Sequence, residues 1–182
     1  MIDPVDELKT QAAILHKRIA AGDAASRTRL RKLTELAKAD DGAITAAAPN
    51  IRRKHCLTVV SREHGFSTWE HAQRVLRGWE DETDFGALLY DRESGGLLNV
   101  WFAGYAEARE HLVAMRRDGQ ARYLLAYRRQ FFVAEAHFIK ALGMDPNDAD
   151  WDRLDFDWAR PRDPLARRRL YGQRLQALRG RA

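Results

Sequence analysis

Histidine and cysteine are the side chains best suited to acid–base, nucleophilic and metal chemistry near neutral pH. Five histidines stand out, His55, His64 and His71 in the first half of the chain and His111 and His137 in the second. None of them has H-E-x-x-H or metal-ligand spacing on one helix. Glu110-His111 and Glu135-x-His137 stand too close in sequence to share a helical face. These histidines are read as surface or satisfied core groups. The one cysteine, Cys56, lies among apolar residues and is read as a buried, inert thiol. Lys54 and His55 flank it, but adjacent helical side chains point apart. No serine–histidine–acid order, metal cluster or glycine-rich nucleotide loop appears. No catalytic residue, cofactor or metal is therefore assigned.

Anion binding is the chemistry the residues suggest more strongly. In "AYRRQFF" (126–132) a strand is expected to end and a helix to begin, with Arg128 and Arg129 at the junction. A helix N-terminus with two arginines favours phosphate or carboxylate. Their alternative is pairing with the acidic stretch 145–157. A second basic region runs from Arg27 to Arg62. It carries nine Lys or Arg against three acids. Arg29, Lys32, Arg52, Arg53 and Lys54 are its candidates for a polyanion surface, with a solvated helix face as the plainer reading. "NVWFAGY" (99–105) clusters Trp101, Phe102 and Tyr105, as base-stacking groups or as core.

Those residues need elements to position them. The chain has 182 residues, 31% charged and 45% hydrophobic, enough for one domain or two small ones. A net charge of +5 allows a nucleic-acid partner without implying one. A lone cysteine suits a reducing compartment, no apolar run is long enough to cross a bilayer, and "MIDPVDELKT" is too acidic for a signal peptide. A cytoplasmic protein is expected.

Helices are predicted at 3–21, started by Asp3 and Pro4; at 24–38, capped by Asp23; and at 51–64, capped by Asn50. "DDGAITAAAPN" (40–50) is predicted to be mostly loop, broken by Gly42 and Pro49. "SREHGFSTWEH" (61–71) predicts a helix stop at Gly65 and a new start at Ser67 with Glu70, an S-x-x-E capping box, anchored by Trp69. It fails as a DNA-reading helix-turn-helix. Positions about six and nine after the glycine should be buried, but they are His71 and Arg74. A boundary is placed near residue 82, giving a helical module, 1–81, and a small domain, 82–182. In the latter, "FGALLY" (85–90) and "LLNVWF" (97–102) predict a hairpin and 122–127 a third strand. Helices are predicted at 105–119, at 131–143, in the acidic 145–158 and after Asp163-Pro164. The fold class is α+β, helix-dominated: a four-helix module followed by a three-stranded sheet with helices, expected on one face.

The first part resembles a small helical module of bacterial proteins, in which an "A-G-D-x-x-A" corner is followed by "A-R-E-x-G-F-x-S-W-x-x-L". Ala21, Gly22, Asp23 and Ala24 match the corner, and Arg62, Glu63, Gly65, Phe66 and Trp69 match the second motif. Such modules occur before ankyrin-like repeats and in uncharacterised bacterial proteins. The resemblance covers about residues 8–77 and brings no catalytic residue with it. The whole chain also resembles an uncharacterised bacterial family.

The expected function is a non-enzymatic interaction or regulatory protein that binds another protein. A nucleic-acid-binding protein using helices 27–62 is the alternative. An enzyme with a cleft between the two parts, near Arg128, Glu135 and His137, is the second alternative. No membrane or metal partner is expected.

Overall fold

The computed structural model describes residues 3–79, 82–91 and 94–180. The chain divides into two compact units, Val5–Gln73 and Arg74–Ala182 together with Met1–Pro4. The fold is helix-dominated α+β. No described helix is long and apolar enough to cross a membrane.

The first unit is helical. Helix α1 (Pro4–Ala20) buries Leu8, Ala12, Leu15 and Ile19, the three–four spacing expected of one apolar stripe. Asp23 caps α2 (Ala24–Thr28), its carboxylate accepting from the Ser26 N–H at 2.8 Å. The expected helix 24–38 does not run on. Tight 3₁₀ turns at Arg29–Lys32 and Thr34–Leu36 follow, separated by extended Leu33. The tighter winding aligns residues three apart, and Leu30 and Leu33 are both buried.

The loop expected at 40–50 is instead helix α3 (Asp41–Ala47). Asp40 caps it by accepting from the Ala43 N–H at 2.8 Å, and Ile44 is buried. Its supposed breakers bracket it. Gly42 falls in the first turn, where N–H groups have no ladder partner, and Pro49 lies beyond the end. Helix α4 (Arg53–Glu63) starts later than expected, and Asn50 does not cap it. His55 Nδ1 accepts from the Arg52 N–H at 3.0 Å instead.

Gly65 ends α4 with φ 84°. The Phe66 and Gly65 N–H groups close back on the Ser61 and Arg62 carbonyls at 2.9 and 3.1 Å. Helix α5 (Trp69–Arg77) then starts one residue later than an S-x-x-E box would place it. Thr68 Oγ1 accepts from the His71 N–H at 3.1 Å, and His71 Nδ1 accepts from the Ser67 N–H at 3.1 Å. Histidine takes the part expected of Glu70. Phe66 is the buried anchor of this corner, whereas Trp69 is only half-buried.

In the second unit β1 (Val100–Phe102), β2 (Arg122–Tyr127) and β3 (Gln130–Glu135) form an antiparallel sheet of order β1-β3-β2. The expected hairpin 85–102 is absent. Residues 85–90 form no strand. Gly86 takes φ 68°, and the segment instead bonds to the β2–β3 turn, from the Phe85 N–H to the Arg128 carbonyl at 2.9 Å and from the Arg128 N–H to the Gly86 carbonyl at 2.7 Å. The helix expected over 131–143 starts only at α7 (Ala136–Ala141). The five residues before it, 131–135, belong to β3, whose Phe131, Phe132 and Val133 favour a pleated surface.

Helix α6 (Tyr105–Arg117) lays Ala108 and Leu112 on Leu124 and Val133. The opposite sheet face is also covered. There Trp101 stacks on Phe132 at 4.7 Å, and Phe138 of α7 meets Phe132 edge-on at 5.2 Å. Helices thus lie on both faces, because strand alternation sends bulky side chains each way. Helices α8 (Ala149–Arg153) and α9 (Pro164–Gly180) complete the unit. Asp163 caps α9, accepting from the Leu165 N–H at 2.9 Å, as the Asp-Pro pair predicts.

The β2–β3 connection is a two-residue turn at Arg128-Arg129, with Arg128 at φ 53°. That conformation costs an L-residue about 1 kcal/mol or more. Arg128→Gly is expected to raise stability by about 0.5–1 kcal/mol in urea unfolding. A loss would show that the side chain, 5.4 Å over the Tyr127 ring, outweighs the strain.

Candidate functional site

Helix α9 is rich in arginine, and most of these have carboxylate partners. Arg168 pairs with Asp3, Arg169 with Asp150 and Arg174 with Asp91. Arg167 differs. It is 6% exposed, and its Nη1 donates to the Trp158 and Ala159 carbonyls at 3.0 and 3.3 Å. No carboxylate among the described residues pairs with it. A buried cation without a counter-charge is costly and therefore unusual.

Arg167 lines a cleft of about 680 Å³ in the second unit. Arg129, on the hairpin turn, and Arg160, on the segment before α9, line it as well. Both are exposed, and neither has an ion-pair partner among the described residues. Trp79, Phe85, Tyr105 and Phe131 supply apolar walls. Phe131 meets Phe85 edge-on at 6.0 Å and Tyr105 at 5.7 Å. The Arg160 guanidinium lies 4.2 Å from the centre of the Tyr105 ring.

Behind that wall sits Asp157, 2% exposed. It accepts from the Tyr105 hydroxyl at 2.6 Å and from the Arg160 N–H at 2.9 Å, and Arg109 lies 3.6 Å away. Burial pushes its carboxyl above the usual carboxylate range, outweighing those donors. Burial, helped by the bond to Asp157, pushes the Tyr105 hydroxyl up to about 12. Glu82, the one carboxylate among the described lining residues, accepts from the Thr83 and Asp84 N–H groups at 3.0 Å each. Its other oxygen is 3.0 Å from Arg74 Nε. The lining thus sets three guanidiniums against one carboxylate that is already engaged, with an aromatic wall and a neutral phenol. Such a surface attracts anions and holds them by forked hydrogen bonds.

Of the residues the sequence singled out, Arg129 and Tyr105 line this cleft, while Trp101 and Phe102 do not. Arg128, Glu135 and His137 are not among its lining residues. Arg128 and Arg129 sit on a hairpin turn, not at a helix N-terminus, so the helix-end rationale for them fails. Nor do they pair with the acidic stretch. Asp150 is held by Arg169 and Arg153, and Asp155 by Arg109. Glu135 bonds with Arg122 at 2.8 Å and lies 3.3 Å from His137 Nδ1.

The basic region of the first unit is partly spent on the fold. Arg29 grips Glu63 with two bonds of 2.8 and 2.7 Å, and Arg53 reaches the Lys9 carbonyl at 3.4 Å. Arg52, Lys54 and Lys32 are exposed. Cys56 is fully buried, and burial pushes its thiol up to about 11, which suits an inert group. His64 Nε2 lies 2.9 Å from Gln11 Oε1, and His16 Nε2 donates to the Ile51 carbonyl at 3.1 Å. With the caps at His55 and His71, four histidines of the first unit hold its backbone or side chains together. No metal-binding group of three or more His, Cys, Asp or Glu occurs among the described residues. The expected aromatic patch is split, with Trp101 on one sheet face and Phe102 and Tyr105 on the other.

Arg160, Arg167 and Trp79 were not singled out as site residues by the sequence reading. A signal for one of them exists. Arg167, Leu170, Tyr171 and Arg174 recur at three, four and seven on the buried stripe of α9, where cations should not stand without a task.

By class, then, the chain is an α+β protein whose second unit carries an arginine-lined, aromatic-walled cleft. In particular, no protein-family model, curated protein or solved structure matches it.

Proposed function

We propose that this chain is a non-enzymatic interaction protein that binds another protein, and that the cleft of the second unit holds an anionic group of that partner. The observation that carries this reading is Arg167, a guanidinium buried against two carbonyls and open to a cleft that Arg129 and Arg160 also line. A bound anion supplies the missing counter-charge. The same lining favours binding over catalysis. Arginine stays protonated, Tyr105 holds its proton far above neutral pH, and Glu82 is occupied by backbone and Arg74. In the first unit the "AGD" corner and the Gly65–Trp69 motif support likeness to the bacterial helical module.

Arg167→Gln tests this directly. Removing a buried, unpaired charge favours the fold and losing its bonds to two carbonyls opposes it, so the unfolding temperature is expected to shift little. Inorganic phosphate or sulfate should stabilise the wild type in proportion to its concentration, by linkage, and should do so much less for the variant. An equal response in both proteins, or none in either, overturns the reading.

A polyanion surface on the first unit is the second reading, supported by exposed Arg52, Lys54 and Lys32 near the start of α4 and the 3₁₀ turns. Retention on heparin that is lost on Arg52→Gln with Lys54→Gln, and not on Arg167→Gln, would favour it.

A further inference from the structure

The cleft is lined by both its most buried cation, Arg167, and its most exposed aromatic ring, Trp79. Helix α5 ends at Gly78 with φ 77°, and the Trp79 and Gly78 N–H groups close on the Arg74 and Val75 carbonyls. The backbone there presses on Arg167. A Cβ on Gly78 would stand 2.5 Å from Arg167 Nη2. The next residue, Trp79, is 53% exposed and lines the same cleft. The Arg74 guanidinium lies 5.5 Å from the centre of its ring, a cation–π contact. An anion seated on Arg167 therefore shares the cleft with an exposed ring, that of the residue next to Gly78, and the Phe85–Phe131–Tyr105 wall lines the same space.

We infer that the anionic group is a phosphomonoester carried on an aromatic ring, as in a phosphotyrosine side chain of the partner protein. This rests on the reading of the cleft as an anion site. Charge decides between phosphate and carboxylate. Three guanidiniums face the cleft, and the one described carboxylate there is engaged by Arg74. A phosphomonoester carries roughly −1.5 to −2 charges and three strong acceptor oxygens, a closer match to three guanidiniums than the single charge of a carboxylate. Volume agrees. About 680 Å³ holds a ring, its phosphate and flanking chain atoms, far more than a bare inorganic ion needs.

Calorimetric titration of the full chain with four probes tests this: inorganic phosphate, phenyl phosphate, benzoate, and a phosphotyrosine-containing peptide, with a nucleoside monophosphate as the source control. Phenyl phosphate and the peptide should bind roughly tenfold or more tighter than inorganic phosphate, because stacking adds to the ionic contact. Trp79→Leu should remove most of that advantage and leave inorganic phosphate affinity unchanged. Arg129→Gln with Arg160→Gln, both at exposed positions, should weaken every phosphate probe and spare the fold. Equal binding of inorganic and phenyl phosphate overturns the ring, and equal binding of benzoate overturns the phosphate, while the anion site itself survives both. A nucleoside monophosphate that binds much tighter than the peptide overturns the protein source. No binding of any anion overturns the anion site and this inference together.

Discussion

Replacing Arg174 by methionine is expected to cost the fold about 3–5 kcal/mol in urea unfolding. Arg174 is 1% exposed. Its Nε donates to the Leu88 carbonyl at 3.0 Å, Nη1 to the Leu142 carbonyl at 2.6 Å and Nη2 to Asp91 at 2.6 Å. One side chain thus ties α9 to the end of α7 and to the segment before β1. Methionine fills much of the space, but it takes the arginine donor from two buried carbonyls and from Asp91, which keeps the Ser94 N–H. The loss should depend on pH. Burial alone would raise the Asp91 pKa. The Ser94 N–H and Arg174 outweigh it and hold the carboxyl below its ordinary value of 3.8. A lowered carboxylate stabilises the fold fully above the unfolded pKa and loses that contribution as pH falls through the folded one. The gap between wild type and variant should therefore be widest near neutral pH and narrow below about pH 4. A gap that does not change with pH would show that the carbonyl bonds, not the ion pair, carry the effect.

Phe66→Ala is expected to cost about 3–4 kcal/mol and to exceed Trp69→Ala by about 2 kcal/mol. From the sequence Trp69 looks like the anchor, being the larger residue and on the helix. In the structure Phe66 is 2% exposed, directly after Gly65, and meets the His71 ring edge-on at 5.6 Å. Trp69, the first residue of α5, keeps part of its surface in water. Removing buried atoms leaves a cavity, and trimming a half-buried ring does not. Thermal unfolding of the two variants side by side decides it. If Trp69→Ala is the more damaging, the corner is held by the indole after all.

The contrast with Arg167 is instructive. Both arginines lie seven residues apart on one buried face of α9, yet only Arg174 has an acid partner. Loss of Arg174 should unfold the unit readily, while loss of Arg167 should cost binding.

Local patterns were legible wherever the deciding physics is local. The apolar stripe of α1, the Asp23 cap, the stop at Gly65 and the Asp163-Pro164 start each depend on residues within a turn or two. The helix-dominated α+β class followed from the same signals. Where breakers and formers mix, as at 40–50, position within the element mattered more than residue type. Gly42 and Pro49 are harmless at the two ends of α3.

Other features needed distant partners. "RYLLAY" and "QFFVAE" are two strands parted by two residues, but a hairpin turn of two arginines lacks the glycine that marks such turns. Only the bonds between Arg128 and residues 85–86 show why that turn is held. "FGALLY" is as apolar as a strand, yet no sheet edge takes it. Most of all, one arginine looks like another in a sequence. Arg129 was picked out for a helix end that does not exist and lines the cleft for a different reason. Arg160 and Arg167 drew no reading of their own. Residue type and spacing determined which helices form and that cations are plentiful. Which cations are cancelled, and which face a cleft beside an open tryptophan, only the tertiary structure decided, because Coulomb energy and desolvation depend on distance in space and not along the chain.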